Sequence, residues 1–137
     1  MHEDTQRPKW KRFEELVAKI QADLAGDAVV THNDRIMGRR SGVLRQIDVS
    51  IKSRVGQFHL LIVMDCKDYQ RPLDVKDVED FIGLSQDVAA NKAALVAMNG
   101  YSEAARRRAE DAGIELYRPL DTRGSRMEIA CRDTDRD

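Results

Sequence analysis

The sequence predicts an α/β fold with a mixed central sheet, and two observations support this prediction. Two apolar runs, 43–51 and 58–64, flank a short polar segment that contains a glycine, which is typical of an antiparallel hairpin. Beyond the hairpin, segments with helical periodicity alternate with short apolar runs. The order strand–helix–strand–helix–strand implies parallel pairing with right-handed crossovers. Antiparallel and parallel strands together make a mixed sheet.

The N-terminal part predicts one amphipathic helix and one short strand. The helix covers residues 9–25, and its apolar stripe consists of Trp10, Phe13, Leu16, Val17, Ile20 and Leu24. Glu14 lies on the flank of this stripe and can reach toward whatever the helix packs on, although a solvated glutamate is the simpler interpretation. A strand is predicted at 27–31. Residues 32–42, with two glycines and three arginines, predict a loop.

The turn of the hairpin decides which side chains face each other. Gly56 suits the first central position of a two-residue type II′ turn. This register sets Asp48 opposite Asp65, and Gln46 opposite Lys67, with Cβ atoms roughly 5 Å apart. A turn two residues earlier would set Asp48 opposite Leu61 and separate the carboxylates by about 13 Å. The register therefore depends on where the turn lies.

Alternation along the two strands predicts which side chains share a face of the sheet. On the first strand one face receives Val43, Ile47, Val49 and Ile51. On the second strand one face receives Leu61, Val63, Asp65 and Lys67, and the other receives Leu60, Ile62, Met64 and Cys66. A second strand that is apolar on both faces is expected to be central and covered on both sides.

The second half predicts two capped helices between strands. Asp74 is the expected N-cap of a helix that runs to about Ala90, with Asp77 completing a capping box. Residues 92–98 predict a buried strand. Ser102 caps a helix over 103–112, Gly113 ends it, and 114–117 form a short strand. Residues 125–131 alternate and could add an edge strand.

Composition limits the class of protein. At 137 residues, one domain over 9–120 is expected, with flexible tails at 1–8 and 121–137. The net charge of −1 gives no global basic signature, which counts against a DNA-coating protein but not against an enzyme with a local basic surface. With two cysteines, no signal-like segment and no apolar run of membrane-spanning length, we expect a reduced, cytoplasmic setting.

Two carboxylates placed side by side in a half-buried site require compensation. Lys67 offsets only one of the charges on Asp48 and Asp65. A hard divalent cation that prefers oxygen ligands, Mg²⁺ or Mn²⁺, would neutralise the remaining negative charge. The alternative is a structural ion-pair cluster at a strand end, because an isolated D-x-K tripeptide is common by chance. The D…D-x-K spacing across a hairpin favours the metal site.

The order and spacing of these motifs resemble the PD-(D/E)xK nuclease superfamily and, within it, the Mrr-type restriction endonuclease catalytic domain. The segments that carry the resemblance are Phe13-Glu14, Ile47-Asp48, the run from Asp65 to Tyr69, Gly100-Tyr101-Ser102 with Ala105 and Ala109, and Gly113-Ile114. The chain departs from the pattern in having Ile47 in place of the proline, Asp65 where Glu or Gln is frequent, and a glycine-rich lead-in reduced to Gly38 and Gly42.

The resemblance implies a restriction-endonuclease-like three-layer α/β/α sandwich and a metal-dependent endodeoxyribonuclease. It implies that Mg²⁺ (or Mn²⁺) binds to Asp48, Asp65 and the Cys66 carbonyl, and that Glu14 binds a second ion or a metal-bound water from the helix side. Lys67 would orient the attacking water, and Gln46 would support Lys67 or a phosphate oxygen. Arg39, Arg40 and Arg45 would contact the DNA backbone. A homodimer would supply the two active sites that are needed to cut both strands. Two alternatives stay open: a non-catalytic nuclease-like module that binds nucleic acid or protein, and a Holliday-junction resolvase.

Overall fold

The computed structural model describes residues 9–119 and the backbone of 127–129. The tails predicted at 1–8 and 121–137 lie outside the described residues, apart from that short segment. In chain order the elements are α1 (Lys9–Leu24), β1 (Val29–Met37), β2 (Leu44–Val55), β3 (Phe58–Lys67), α2 (Val75–Asp87), β4 (Lys92–Ala97), α3 (Glu103–Ala112), β5 (Glu115–Pro119) and β6 (Met127–Ile129). No helix in this part of the chain is long and apolar enough to cross a membrane.

The six strands form one mixed sheet in the order β1-β2-β3-β4-β5-β6. β1, β2 and β3 pair antiparallel, and β3, β4 and β5 pair parallel. β6 adds an antiparallel edge strand beside β5, inside the segment where the sequence predicted one. The mixed α/β sheet predicted from the sequence is therefore confirmed.

Two apolar cores, one on each face of the sheet, make three layers. On one face α2 and α3 cover a core that includes Val63, Leu95 and Leu116. On the other face α1 covers a smaller core around Val49, Met64 and Val96, into which it inserts Phe13 and Val17. Trp10 and Leu24, at the ends of the predicted stripe, are exposed. Only the middle of α1 thus packs against the sheet, because the two ends of the helix extend past it.

The predicted hairpin turn and register are confirmed. β2 and β3 pair from Val55 with Phe58 up to Val49 with Met64, which leaves Gly56 and Gln57 as the turn. Gly56 has a φ of 60°, the conformation that a type II′ turn requires at its first central position. One step beyond the last pair, this register brings Asp48 beside Asp65.

The predicted helix caps are also confirmed. The Asp74 carboxylate accepts from the Asp77 backbone, and the Asp77 carboxylate accepts in return from the Asp74 backbone. Ser102 accepts from the backbone of Ala105, and Gly113 ends α3 in the left-handed conformation. α2 ends at Asp87, three residues before the predicted end. These caps satisfy backbone groups that helix ends leave without partners.

The predicted loop at 32–42 is partly wrong. β1 continues to Met37, and only 38–43 form the turn into β2. Residues 32–35 are polar, and the apolar Ile36 and Met37 are adjacent, so the segment has no apolar alternation and its strand character was not visible in the sequence. Pairing with β2 supplies its backbone hydrogen bonds and makes it extended.

Side-chain alternation breaks near the middle of β2. Val49 and Ile51 lie in the core under α1, but Ile47 lies in the core under α2 and α3. The prediction of one shared face is therefore wrong at Ile47. The neighbouring position of β1 is Asn33, which has a φ of 59° and is missing from the ladder pairs on either side of it. Both strands thus change face at the same level.

This change of face folds the outer part of the β1–β2 hairpin over the sheet. Asp34 pairs with Ile47, yet its carboxylate accepts from Ser50 at 2.7 Å and contacts the Lys52 ammonium at 3.0 Å. The turn at 38–43 reaches the C-terminal end of α2. The hairpin therefore forms part of the same layer as the helices on that face.

Asp87, the last residue of α2, holds this turn. Its buried carboxylate accepts from the backbones of Arg40 and Ser41 at 3.0 and 2.9 Å, from the Ser41 hydroxyl at 2.6 Å and from the Arg45 guanidinium at 2.8 Å. These bonds lower the pKa of Asp87 to about 2. Four donors on one carboxylate make Asp87 the main polar contact between α2 and the hairpin.

We predict opposite effects for two glycine-to-alanine substitutions. A Cβ at Gly38 would lie 2.1 Å from Asp87 Oδ2 and 2.6 Å from Ser41 Oγ, atoms that the turn holds in place. Gly38→Ala should lower the free energy of unfolding by about 1–3 kcal/mol. Gly83, on the exposed side of α2, has open space around it, and Gly83→Ala should raise this free energy by about 0.5–1 kcal/mol. Urea denaturation measures both, and equal effects would contradict the clash at Gly38.

Candidate active site

The two aspartates lie where β2 and β3 stop pairing through their backbones. Asp48 Oδ2 accepts from the Cys66 backbone amide at 2.8 Å. The Asp48 backbone in turn forms a hydrogen bond with the Asp65 carboxylate. Side chains thus replace the ladder at this step, and they hold two carboxylates next to each other. Asp48 is half-buried and Asp65 is buried.

The backbone of Cys66 points toward Asp48. The Lys67 carbonyl accepts from the Met98 amide at 3.1 Å, on the β4 side. Because backbone groups alternate along a strand, the amide and carbonyl of Cys66 both face β2. The amide bonds to Asp48, and the carbonyl lies beyond the last residue pair of that ladder. The predicted carbonyl ligand is therefore directed toward the aspartates, whereas the Cys66 side chain is buried in the core under α1.

Lys67 lies against the carboxylates and against an aromatic ring. Its ammonium is 3.7 Å from Asp65 Oδ2 and 5.8 Å from the centre of the Tyr69 ring. The guanidinium of Arg71 lies 5.0 Å from the same ring and is bound by Asp77 at 2.8 Å. Burial would lower the pKa of Lys67, but the charges of Asp65 and its neighbours outweigh burial and raise it. Lys67 is therefore a fixed cation.

Glu14 reaches the same region from α1. It is buried, which excludes the solvated interpretation, and Oε1 lies 3.2 Å from Nε2 of His32 on β1. Burial and the charge of Asp48 raise the pKa of Glu14, although His32 opposes the shift. α1 thus contributes a carboxylate whose contact with His32 connects it to the bend of β1.

The charges of this site are only partly compensated. Burial and the charge of Asp48 raise the pKa of Asp65 to about 7, although Lys67 opposes this effect. Burial also raises the pKa of Asp48. Three carboxyl groups with raised pKa values share one close lysine, so the site favours an added positive charge or a proton.

The other predicted site residues are less directly placed. The Gln46 amide donates to Asn33, the residue at the bend of β1. Arg45 lies on the inner side of the folded hairpin and is bound by Asp87. Arg39 and Arg40 are exposed on the turn, with only their backbones held by Asp87. The structure therefore brings together Asp48, Asp65, Lys67, Cys66 and Glu14, and places the arginine turn at the far end of α2.

Sequence reasoning missed two contributors to the site, His32 and Tyr69 as a contact of Lys67, and it also missed Asp87, which holds the hairpin turn at the far end of α2. Nothing local distinguishes His32, because its partner is 18 positions away on another element. Tyr69 is two residues after Lys67, a spacing that places it near the lysine once the strand has ended. Asp87 carried one weak signal, since an acid at a helix C-terminus opposes the helix dipole and needs a separate reason.

The residues present fit one hard divalent ion. In the described part of the chain, no three His, Cys, Asp or Glu side chains converge closely enough to hold a metal by themselves. Mg²⁺, however, is usually bound through one or two carboxylates and keeps several waters. Asp48, Asp65 and the Cys66 carbonyl match that donor set, and Lys67, 3.7 Å from Asp65, is the one lysine close to the two carboxylates among the described residues.

We predict an inverse dependence of stability on pH when metal is removed with EDTA. Between pH 3.8, the ordinary pKa of the carboxyl, and about 7, native Asp65 keeps a proton that the unfolded chain loses. The retained proton stabilises the folded protein. This contribution to stability is complete below pH 3.8 and is lost as the pH rises through about 7. The free energy of unfolding should fall by up to a few kcal/mol across this range.

Denaturation of wild type and Asp65→Asn at several pH values measures this dependence. The asparagine cannot ionise, so its profile should be flatter between pH 4 and 7. Equal slopes for the two proteins would contradict the prediction.

Comparison with known proteins agrees with this fold. A family model described as Mrr_cat, restriction endonuclease, matches residues 5–119. The crystal structure of the protein of unknown function AF1548 shares the fold, with a TM-score of 0.62 and 20% identity; the match covers 78% of this chain and 56% of that one. The chain thus spans little more than half of that protein.

A second similar structure is the DNA modification-dependent restriction endonuclease AspBHI, with a TM-score of 0.45, 17% identity, and coverage of 80% of this chain and 33% of that one. No curated protein matches the chain. Because the family model extends over most of the sequence, the chain belongs to the Mrr-type restriction endonuclease family.

Proposed function

We propose that the chain is a metal-dependent endonuclease that hydrolyses DNA phosphodiester bonds. The observation that carries this proposal is the pair of adjacent carboxylates, Asp48 and Asp65, with Lys67 3.7 Å from Asp65, in a member of a restriction endonuclease family. A structural ion-pair cluster would leave these carboxylates with one lysine for two charges, buried where repulsion is strongest. A site that binds a cation accounts for the same arrangement without that cost.

The proposed ligands of Mg²⁺ or Mn²⁺ are Asp48, Asp65 and the Cys66 carbonyl. Glu14 would hold a second ion or a metal-bound water from the side of α1. When bound, the ion would act as a Lewis acid and lower the pKa of a bound water. The ion would also relieve the repulsion between the carboxylates, so binding should be strongly coupled to the charges of both.

Lys67 is the side chain that we propose to act directly on the attacking water and on the phosphate. Its raised pKa keeps it protonated at neutral pH, so it acts as a donor and not as a base. We propose that its ammonium orients the attacking water and stabilises the negative charge that develops on the phosphate. The Tyr69 ring and Asp65 restrict where this ammonium lies. Gln46 would support a phosphate oxygen after leaving Asn33.

The proposed substrate is DNA, and the proposed assembly is a homodimer, since cutting both strands of a duplex requires two sites. A DNA substrate also agrees with the cytoplasmic setting expected from the sequence. Arg39 and Arg40 are proposed contacts with the DNA backbone, because their guanidinium groups are exposed. Arg45 is proposed to support DNA binding indirectly, by holding the turn together with Asp87, because its charge is paired with that carboxylate.

We predict that Asp48→Asn, Asp65→Asn and Lys67→Ala each reduce Mg²⁺-dependent nicking of plasmid DNA by at least about 100-fold, because each removes a charge from the reacting centre. The matched controls are Asp80→Asn and Lys76→Ala, which break an exposed ion pair on α2 at 3.4 Å and should leave nicking unchanged. Wild-type nicking rates in all three site variants would refute the assignment.

Calorimetric titration with Mn²⁺ tests the site without activity. Wild type should bind Mn²⁺, and Asp48→Asn and Asp65→Asn should each lose most of this affinity, whereas Asp80→Asn should retain it. Absence of Mn²⁺ binding by folded wild type would favour the non-catalytic module that binds nucleic acid or protein. Preferred cleavage of a four-way junction over a linear duplex would instead identify the enzyme as a resolvase.

A further inference from the structure

A cavity of about 250 Å³ lies where the folded-back hairpin meets the far end of the sheet. The residues that line it come from five elements or turns and include Ile36, Arg39, Lys52, His59, Val88 and Asn91. Arg39 and Lys52 are cationic, His59 adds an imidazole, and no acidic side chain lines the cavity among the described residues. The folding of the hairpin creates this grouping, because it brings Arg39 of the turn next to Lys52 of β2 and His59 of β3.

The positive charge of the cavity is only partly compensated within the described part of the chain, because Lys52 has an acidic partner and Arg39 has none. Two acids contact this region, and each already has its own cation: Asp34 pairs with Lys52, and Asp87 pairs with Arg45. Among residues 9–119, the side chains of Arg39 and His59 have no ion-pair or hydrogen-bond partner. Arg54 lies directly across from His59 in the strand register and is exposed and also unpaired.

The cavity is separate from the aspartate site. Along β3, His59 and Lys67 are about 26 Å apart. The hairpin and α2 cover the sheet between them. A group bound at the cavity therefore does not contact Asp48 or Asp65.

We propose that this cavity is a second binding site, one that takes a phosphate group. A guanidinium binds phosphate through two parallel hydrogen bonds, and the imidazole of His59 and the ammonium of Lys52 add donors around it. The volume is below the roughly 300–1,000 Å³ of pockets for drug-sized ligands, which suits a phosphate or pyrophosphate group. The phosphate comes either from the nucleic-acid backbone or from a free nucleotide.

The proposal does not depend on nuclease activity, and its test is a binding measurement on the full chain in EDTA. Calorimetric titration with sodium pyrophosphate should show saturable binding to wild type. Arg39→Gln and His59→Gln should each weaken the affinity by about 10-fold, the loss expected for one charge-assisted hydrogen bond. Both side chains are exposed, so circular dichroism should show folded variants.

Arg107→Gln is the matched control, because it removes an exposed guanidinium from α3, where Arg107 pairs with Glu103. Its affinity for pyrophosphate should equal that of wild type. Asp65→Asn should also retain pyrophosphate binding while losing nicking, so that failure at one site is distinguished from failure at the other. The proposal is overturned if wild type shows no saturable binding, or if the Arg39 and His59 variants bind as wild type does.

A competition with duplex DNA in EDTA distinguishes the two sources of phosphate. If a short duplex displaces pyrophosphate from wild type, the cavity takes a phosphate of the nucleic-acid backbone. If the duplex and pyrophosphate bind together, the cavity takes a free phosphate-bearing ligand. Both results require the bound pyrophosphate that the first titration measures.

Discussion

The break in backbone pairing at Asp48 and Asp65 is the constraint on which the rest of the structure depends. Beyond Val49 and Met64, β2 and β3 are joined by an aspartate on each strand that bonds to the backbone of the other. These bonds direct two carboxylates and the Cys66 carbonyl into one small region. Such an arrangement is poor for stability, because burial opposes charge.

The same break shapes the layer above the sheet. Because β1 and β2 change face at Asn33 and Asp48, Ile47 packs under the helices instead of under α1. The outer hairpin follows it and ends at the Asp87 carboxylate. A feature required by the site therefore also decides how one face of the sheet is covered. It creates the cationic cavity as well, since the bend brings Arg39 to the cavity that His59 also lines.

Within the described part of this protein, some cationic side chains are paired with acids and others are not, and the composition alone does not distinguish the two groups. Lys67 is fixed against Asp65 and Tyr69, and Arg45 neutralises Asp87. Arg39 and Arg54 keep their charge free of partners within the described residues. A net charge of −1 conceals this distribution. The local excess of positive charge, and not the total, is what bears on the recognition of phosphate.

Local rules in the sequence determined the helix caps, the glycine turn, the hairpin register and the parallel strand order. The caps, the turn and the register depend on residues within a few positions of one another, as Gly56 does for the register and Asp74 with Asp77 for the cap. The parallel order follows from the alternation of helices and strands along the chain. The register alone brought Asp48 beside Asp65. The change of face at Asp48, the burial of Glu14 against His32 and the clamp formed by Asp87 were decided by the tertiary structure. Their partners lie 15 or more residues apart, and no local periodicity records contacts between segments that meet only when the sheet is assembled.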